Sequence, residues 1–454
     1  MGYGARCYLA PVPRLLLLFL LLIAAFHASR VLREPRPDAD RPMDFRTCYV
    51  GQYVLRQGQN PYDDATLKAG WQRLARREHL ASRTQPGLPN LPFLYPPWAA
   101  ALFGVSIGQL PYAVAWPLWY ALALLSLALL AWLWRRVLRA ENAHKGPWWQ
   151  FLLVALVLKG TVPALLTGQP TFAALALGMG ALAVAAGGPN TLAADDADAA
   201  AKAFGNGAPS ARTRWLRQLP AGLLLGLAAF KVTLLLPFAA WFLWRKQWLA
   251  LGVAAAAVAL LSAVAWHWAT LPAELLPTYQ HLLAQVRAQS YDPADPDYPL
   301  TQGLTLRLEL GNVLEWLRPG SSAAHPWLHG ALWLAALGWL AWFQRQGGRL
   351  AGWYIFLVIG TLTLLTTYHL YYDAVLLLPL PAFARLLPRR GQGLLLLALL
   401  PLLLPLNGLA LALGNPVGLR FLYFLPPLGL LGVLGLLLAR PVRVERHAER
   451  SAAQ

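Results

Sequence analysis

The sequence predicts an all-α fold that crosses a membrane many times, and three features predict it. Apolar residues fill 57% of the 454 positions, while charged residues fill only 13%. Runs of about 18 or more apolar residues, enough to cross a hydrocarbon layer roughly 30 Å thick, recur along the chain. These runs lack the period-two alternation of a transmembrane barrel, so helices are the remaining way to satisfy backbone groups in lipid.

The formal net charge of +18 would suit a nucleic-acid binder. Many of the basic residues, however, gather at the ends of apolar runs: Arg135, Arg136 and Arg139; Arg245 and Lys246; Arg345 and Arg349; Arg385, Arg389 and Arg390; Arg440 and Arg443. Positive-inside sorting and lipid headgroups account for such clusters, and no nucleic-acid partner is expected. Cys7 and Cys48 fall on opposite sides of the first span, which implies no disulfide. No CxxC, HExxH, Cys/His cluster or phosphate-cradling glycine loop occurs, so neither a metal nor a cofactor is expected.

Taken in order, the first span is roughly Leu15–Val31. It follows Arg6 and Arg14, which places the N-terminus in the cytoplasm, and "AAFHASR" is a poor cleavage site, so the span reads as an uncleaved anchor. Residues 33–92 form a long first extracytoplasmic loop. Further apolar runs cover 94–109, 112–134, 148–166, 170–187, 219–243, 247–268, 327–343, 351–367, 374–387, 393–413 and 420–438, giving about ten to twelve crossings. Counting every run as a full crossing would put "WRRVLRAENAHK" outside, against the positive-inside rule. Two expectations remove the conflict. "YPPWAAALFGVSIGQLP" is short and incomplete, and 219–243 is a hairpin broken near Lys231 and Pro237 with both ends in the cytoplasm.

The stretch 188–217 is mostly low-complexity and reads as a cytoplasmic loop; 270–325 reads as a second extracytoplasmic loop. Residues 1–440 form one polytopic domain, and 441–454 a basic cytoplasmic tail. Seven of the twenty acids lie between Glu34 and Glu78 and six more in 270–325, so the chemistry is expected on the outer face.

Asp44 opens the amphipathic stretch "FRTCYVGQYVLRQG", where Phe45, Tyr49 and Tyr53 would form an aromatic stripe for the membrane interface. As a helix N-cap Asp44 would accept backbone N–H bonds; as a general base it would take a proton from a hydroxyl, and the two roles are compatible. Lys231 stands alone in "LLLGLAAFKVTLLLPFAAW", and an intramembrane lysine of this kind points to a functional site with a phosphate as natural partner. His369 and Asp373 are four apart on one helix face, able to pair with each other or to serve a phosphate or hydroxyl. Lys159 is a further isolated charge that could snorkel to an interface, and Gln169 offers a sugar both donors and an acceptor.

In order along the chain, "DFRTCYVGQYVLRQGQNPYD", "FLYPPWAAALFG", "LLTGQPTFAALAL", "GLAAFKVTLLLPFAAWFLWRKQW" and "HLYYDAVLLLPLP" resemble glycosyltransferase family 87, the polyprenyl-phosphate-dependent membrane glycosyltransferases. The resemblance implies a GT-C bundle with broken helices and an outer-face site in a bacterial plasma membrane. It also implies a hexose (mannose-like) donor on polyprenyl phosphate and a glycolipid or envelope-glycan acceptor, with no cofactor and with membrane lipids as the remaining partners. Asp44 then occupies the position of the catalytic acid, with Lys231, His369 and Arg307 on the donor phosphate and Gln169, Tyr95, Gln302 and Asp373 around the substrate. The chain departs from the family pattern at Thr301 and Gly303 flanking Gln302, and at Pro170 and Thr171 after the Gly-Gln pair. A secondary transporter or lipid-linked-sugar flippase is the rival reading, and a non-catalytic envelope scaffold a third.

Overall fold

The computed structural model describes residues 21–25, 43–80, 92–140, 149–185, 211–289, 307–318, 325–346, 350–367, 369–404 and 424–442, with 29, 406 and 422. Most of the first predicted span, the 188–210 stretch, residues 290–306 and the C-terminal tail lie outside them. Among the described residues the protein is all-α, with seventeen α-helices and no strand, an all-α polytopic membrane protein as the apolar runs predict.

The first outer segment folds as α1 (Met43–Arg56) and α2 (Asp64–Arg77), which pack on each other. Asp63 caps α2 by accepting the Thr66 N–H at 2.9 Å, and Asp64 pairs with Lys68 at 2.6 Å on the exposed face. Glu78 accepts the Tyr112 N–H at 2.6 Å, at the start of α4 (Tyr112–Ala140). Three of the acids concentrated in this segment are thereby spent on local structure.

Between them, α3 (Pro97–Val105) has only nine residues, about 14 Å at 1.5 Å per residue, which is too short to cross a bilayer. The expectation of an incomplete element there holds. Beyond α4 follow α5 (Trp149–Val157), α6 (Thr161–Thr167) and α7 (Thr171–Ala185). The axes of α5 and α6 meet at 78°, a broken or re-entrant span.

The run 219–243 corrects the sequence-based expectation. It lies within α8 (Ala211–Ala228), a single 3-10 turn (Ala229–Lys231) and α9 (Val232–Trp244), and the apolar part runs on as one candidate span, Trp215–Trp244, of 30 residues. The break at Lys231 is present, with Lys231 itself leaving helical geometry at φ −119°, ψ 78°. The hairpin is not: the 3-10 turn interrupts hydrogen bonding without reversing the chain, and thirty residues suffice for one crossing, not two.

The remaining elements are α10 (Trp248–Trp268), α11 (Pro272–Gln289), α12 (Gly311–Leu317), α13 (His325–Arg345), α14 (Gly352–Thr366), a 3-10 helix (Tyr371–Leu377), α15 (Leu380–Leu386), α16 (Arg389–Leu403) and α17 (Leu425–Ala439). By length and apolarity, α4, α8–α9 and α10 are candidate spans, with α5–α6 a fourth if the bent pair counts as one. Other apolar runs fold as shorter helices, among them α7, α14 and α17.

Helix α14 is apolar all round and buried along nearly its whole length, so it forms the centre of the bundle. Gly222 and Gly226 of α8 face α10, where a Cβ would strike the Ala250 and Ala254 backbone; this small-residue face lets the two helices approach closely. Residues 307–310 run antiparallel to 365–370, with Leu308 N–H donating to the His369 carbonyl at 2.9 Å and Leu310 N–H to the Leu365 carbonyl at 2.8 Å. That pairing holds the chain between α14 and the 3-10 helix in place.

Candidate active site

The polar residues singled out from sequence stand where helices begin, end or break. Irregular backbone inside an apolar bundle is tolerated where its freed groups, and the side chains beside them, find partners within the protein.

Gly168 closes α6 in the left-handed conformation (φ 72°, ψ 35°), which its missing side chain permits, and its carbonyl accepts the Trp119 indole N–H at 2.9 Å. The following Gln169 is turned inward and buried. Its Oε1 accepts the Tyr95 hydroxyl at 3.3 Å, and its Nε2 donates to the Tyr372 hydroxyl at 2.9 Å. Thr171, the first residue of α7, donates to Asp373 Oδ1 at 3.0 Å.

Lys231 reaches the same point from the 3-10 turn. Its Nζ donates to Asp373 Oδ1 at 2.6 Å and to Thr171 Oγ1 at 2.6 Å, and lies 4.7 Å from the centre of the Tyr372 ring. The Lys231 side chain is 12% exposed and that of Asp373 2%. The second Asp373 oxygen, Oδ2, meets His369 Nδ1 at 2.8 Å. The carboxylate thus ties together an ammonium, a hydroxyl and an imidazole, while His369 Nε2 is buried with no hydrogen-bond partner among the described residues.

Asp44 completes the cluster. It is the second residue of α1, in the first turn where the helix dipole favours a carboxylate, and it does not occupy the capping position expected of it. Burial raises its carboxyl above the ordinary range; the Thr167 and Gln169 side chains and the Lys231 charge pull it back, and Asp373 pushes it further up. Asp44 and Lys231 are therefore close enough to interact electrostatically.

The aromatic stripe of α1 corrects a second expectation. Phe45 and Tyr49 are buried, and Phe45 sits within 5.8 Å of the Tyr49, Tyr112, Trp116 and Trp119 ring centres. Phe45 and Tyr49 anchor α1, and Asp44 with it, against α4 inside the protein, while Tyr53, the third member, is half-buried. Period alone shows which face is apolar, not whether protein or membrane covers it.

The model of glycosyltransferase family 87 matches residues 93–367, more than half of the chain. The chain belongs to glycosyltransferase family 87. Neither the curated proteins nor the solved structures yield a match to it. Within the family-87 stretch lie Tyr95, Gln169, Thr171, Lys231 and Arg307; Asp44, His369 and Asp373 lie outside it and join the site through the fold.

Of the residues expected from sequence to form a site, Asp44, Tyr95, Gln169, Lys231, His369 and Asp373 come together. Arg307 stands at the edge: its backbone pairs with Leu370, and its buried guanidinium holds Glu309 at 3.1 Å. Gln302 lies outside the described residues. Lys159 is 8% exposed and does not snorkel; its Nζ lies 5.7 Å from the Tyr371 ring centre.

Sequence reasoning missed Tyr372 and treated Thr171 only as a departure from pattern. A hydroxyl opening an otherwise apolar helix was the available signal for Thr171. Nothing local distinguishes Tyr372 from the other tyrosines.

Proposed function

We propose that the protein moves a hexose, mannose-like, from a polyprenyl-phosphate donor to a lipid-linked or envelope-glycan acceptor at the outer face of a bacterial plasma membrane. The supporting observation is the convergence of Asp44 with the Lys231–Asp373–His369 cluster, a carboxylate of raised basicity within electrostatic reach of a phosphate-binding cation. Transfer is a single inverting displacement. The acceptor oxygen bonds to the anomeric carbon as its proton passes to Asp44, and the bond from that carbon to the phosphate oxygen breaks, its electron pair leaving on polyprenyl phosphate.

Lys231 has three N–H groups, of which Thr171 and Asp373 take two, so one remains for a phosphate oxygen. Asp373 offsets the Lys231 charge, and His369 adds a second donor when protonated. In this water-poor setting both stabilise charge that develops on the leaving phosphate. Gln169 acts through Tyr95 and Tyr372, its amide being committed to their hydroxyls.

Asp44→Asn tests the assignment. Transfer from a polyprenyl-phosphate hexose is expected to fall by about a hundredfold or more, the scale of general-base catalysis. The wild-type rate should rise with pH as Asp44 loses its proton, on a limb above the ordinary aspartate value of about 3.9, and the variant should lack that limb. Because folding raises this pKa, ionised Asp44 costs stability above the folded pKa and nothing below the unfolded one. Asp44→Asn should therefore melt no lower than wild type at pH 7. Near-wild-type turnover would remove Asp44 from the mechanism.

A further inference from the structure

The transfer chemistry leaves one buried cation unused. Lys159 sits at the 78° break between α5 and α6, where the next residue, Gly160, is pressed against the backbone of Tyr371 and Tyr372. Its backbone N–H donates to the Leu402 carbonyl at 3.1 Å, which fixes the main chain. Its Nζ is buried with no hydrogen-bond partner among the described residues, and it lies 5.7 Å from the centre of the Tyr371 ring.

An ammonium in an apolar segment without a carboxylate is costly, and a cation–ring contact replaces only part of its lost hydration. Snorkelling is excluded by the burial of Nζ itself. Lys231 offers the contrast. It binds Tyr372, the neighbour of Tyr371, in the same ammonium-over-ring manner, yet has Asp373 and Thr171 as hydrogen-bond partners. The two tyrosine rings lie 5.8 Å apart, so the Tyr371–Tyr372 pair carries one lysine that is compensated and one that is not.

We propose that Lys159 is an anion-binding residue, a second site for a phosphate oxyanion apart from the Asp44–Lys231 cluster. Anions reach an apolar segment of a membrane protein attached to lipid. The shared chemistry is a phosphate with free oxygens, carried either as the monoester of an isoprenoid lipid or as the diester of a bilayer lipid.

The test uses the full chain in phosphatidylcholine nanodiscs. The 15N resonance of the Lys159 side-chain amine, identified by its absence from Lys159→Arg, is followed with farnesyl phosphate, with dioleoyl phosphatidylglycerol, or with farnesol as the uncharged control. One of the two phosphates, and not farnesol, is expected to shift that resonance; which one does so identifies the source. In parallel, Lys159→Met should weaken binding of that phosphate by about tenfold or more, the worth of one charge-assisted hydrogen bond, while Lys159→Arg retains it. A resonance that neither phosphate moves would overturn the proposal. That readout is made on the unaltered protein, so it decides even where Lys159→Met does not fold. Sugar transfer is not part of the readout, so this site stands or falls independently of the reaction proposed above.

Discussion

Two helix breaks, each carrying a lysine in an apolar stretch, are treated differently by the fold. At 229–231 a single 3-10 turn interrupts a span that keeps its direction, and Lys231 finds a carboxylate, a hydroxyl and a ring. At 158–160 the chain bends by 78°, and among the described residues the Lys159 ammonium meets a ring and no hydrogen-bond partner. The difference teaches that the partner, not the lysine, decides what a break does. Lys231 is 142 positions from Asp373, so no local pattern distinguishes a compensated ammonium from a bare one.

The sharpest way to break the comparison is to remove the partner. Lys231→Met leaves Asp373 buried without its main cation, and Asp373→Asn leaves Lys231 without its anion. Each single change should cost about 3–5 kcal/mol of stability, as for other buried pairs that lose one member. The double variant Lys231→Met/Asp373→Leu should recover much of that loss, because it removes both charges, yet transfer activity should stay absent. Thermal unfolding in detergent beside a transfer assay separates the two effects. Recovered activity in the double variant would mean that the pair is scaffolding and not part of the site.

The apolar part of this picture was largely legible in the sequence. The all-α membrane class follows from run length, and the short element at 97–105 and the break near Lys231 follow from the conflict that full crossings would make with the positive-inside rule. Asp44, Lys231, His369 and Asp373 were legible as residue types out of place. The His369–Asp373 pairing was legible too, from its four-residue spacing. The link from Asp373 to Lys231, 142 positions away, was not, nor were the parts of Thr171 and Tyr372, whose neighbours in sequence are ordinary. The direction of the chain through 219–243 was misread for a related reason. Charge sorting constrains where segment ends lie, whereas bending depends on what packs beside the break. At 229–231 the flanking helices α8 and α9 pack on α10 and α14 and hold the span extended.

A smaller effect is expected at the bend. A Cβ on Gly160 would strike the backbone of Tyr371 and Tyr372, and backbone cannot swing aside as a side chain can. Gly160→Ala should therefore cost roughly 1–3 kcal/mol, the usual penalty of overpacking. It should also weaken transfer by displacing the segment that carries Tyr372 and Asp373. A variant with full activity and stability would show that the two breaks are not mechanically joined through this segment.

Smaller again, and opposite in sign to Lys231→Met, is the effect of Lys159→Met on stability in the absence of any phosphate lipid. Methionine keeps the length of the side chain and removes an ammonium that has no carboxylate partner among the described residues, so the melting temperature should hold or rise. A fall comparable to that of Lys231→Met would mean that Lys159 is compensated after all, and the contrast between the breaks would disappear.

The last and smallest prediction calibrates the glycine at the bend against one in an unbroken helix. Gly252 lies inside α10, where an added Cβ meets nothing within 4 Å. Gly252→Ala introduces no clash and reduces the freedom of the unfolded chain, so it should stabilise by at most about 1 kcal/mol. Activity should be unchanged, since α10 contributes no side chain to the cluster described around Asp373. If Gly160→Ala and Gly252→Ala moved the melting temperature the same way, the loss at Gly160 could not be assigned to its contact with Tyr371 and Tyr372. Opposite signs from the same substitution would locate the cost in that contact and in the bend it allows.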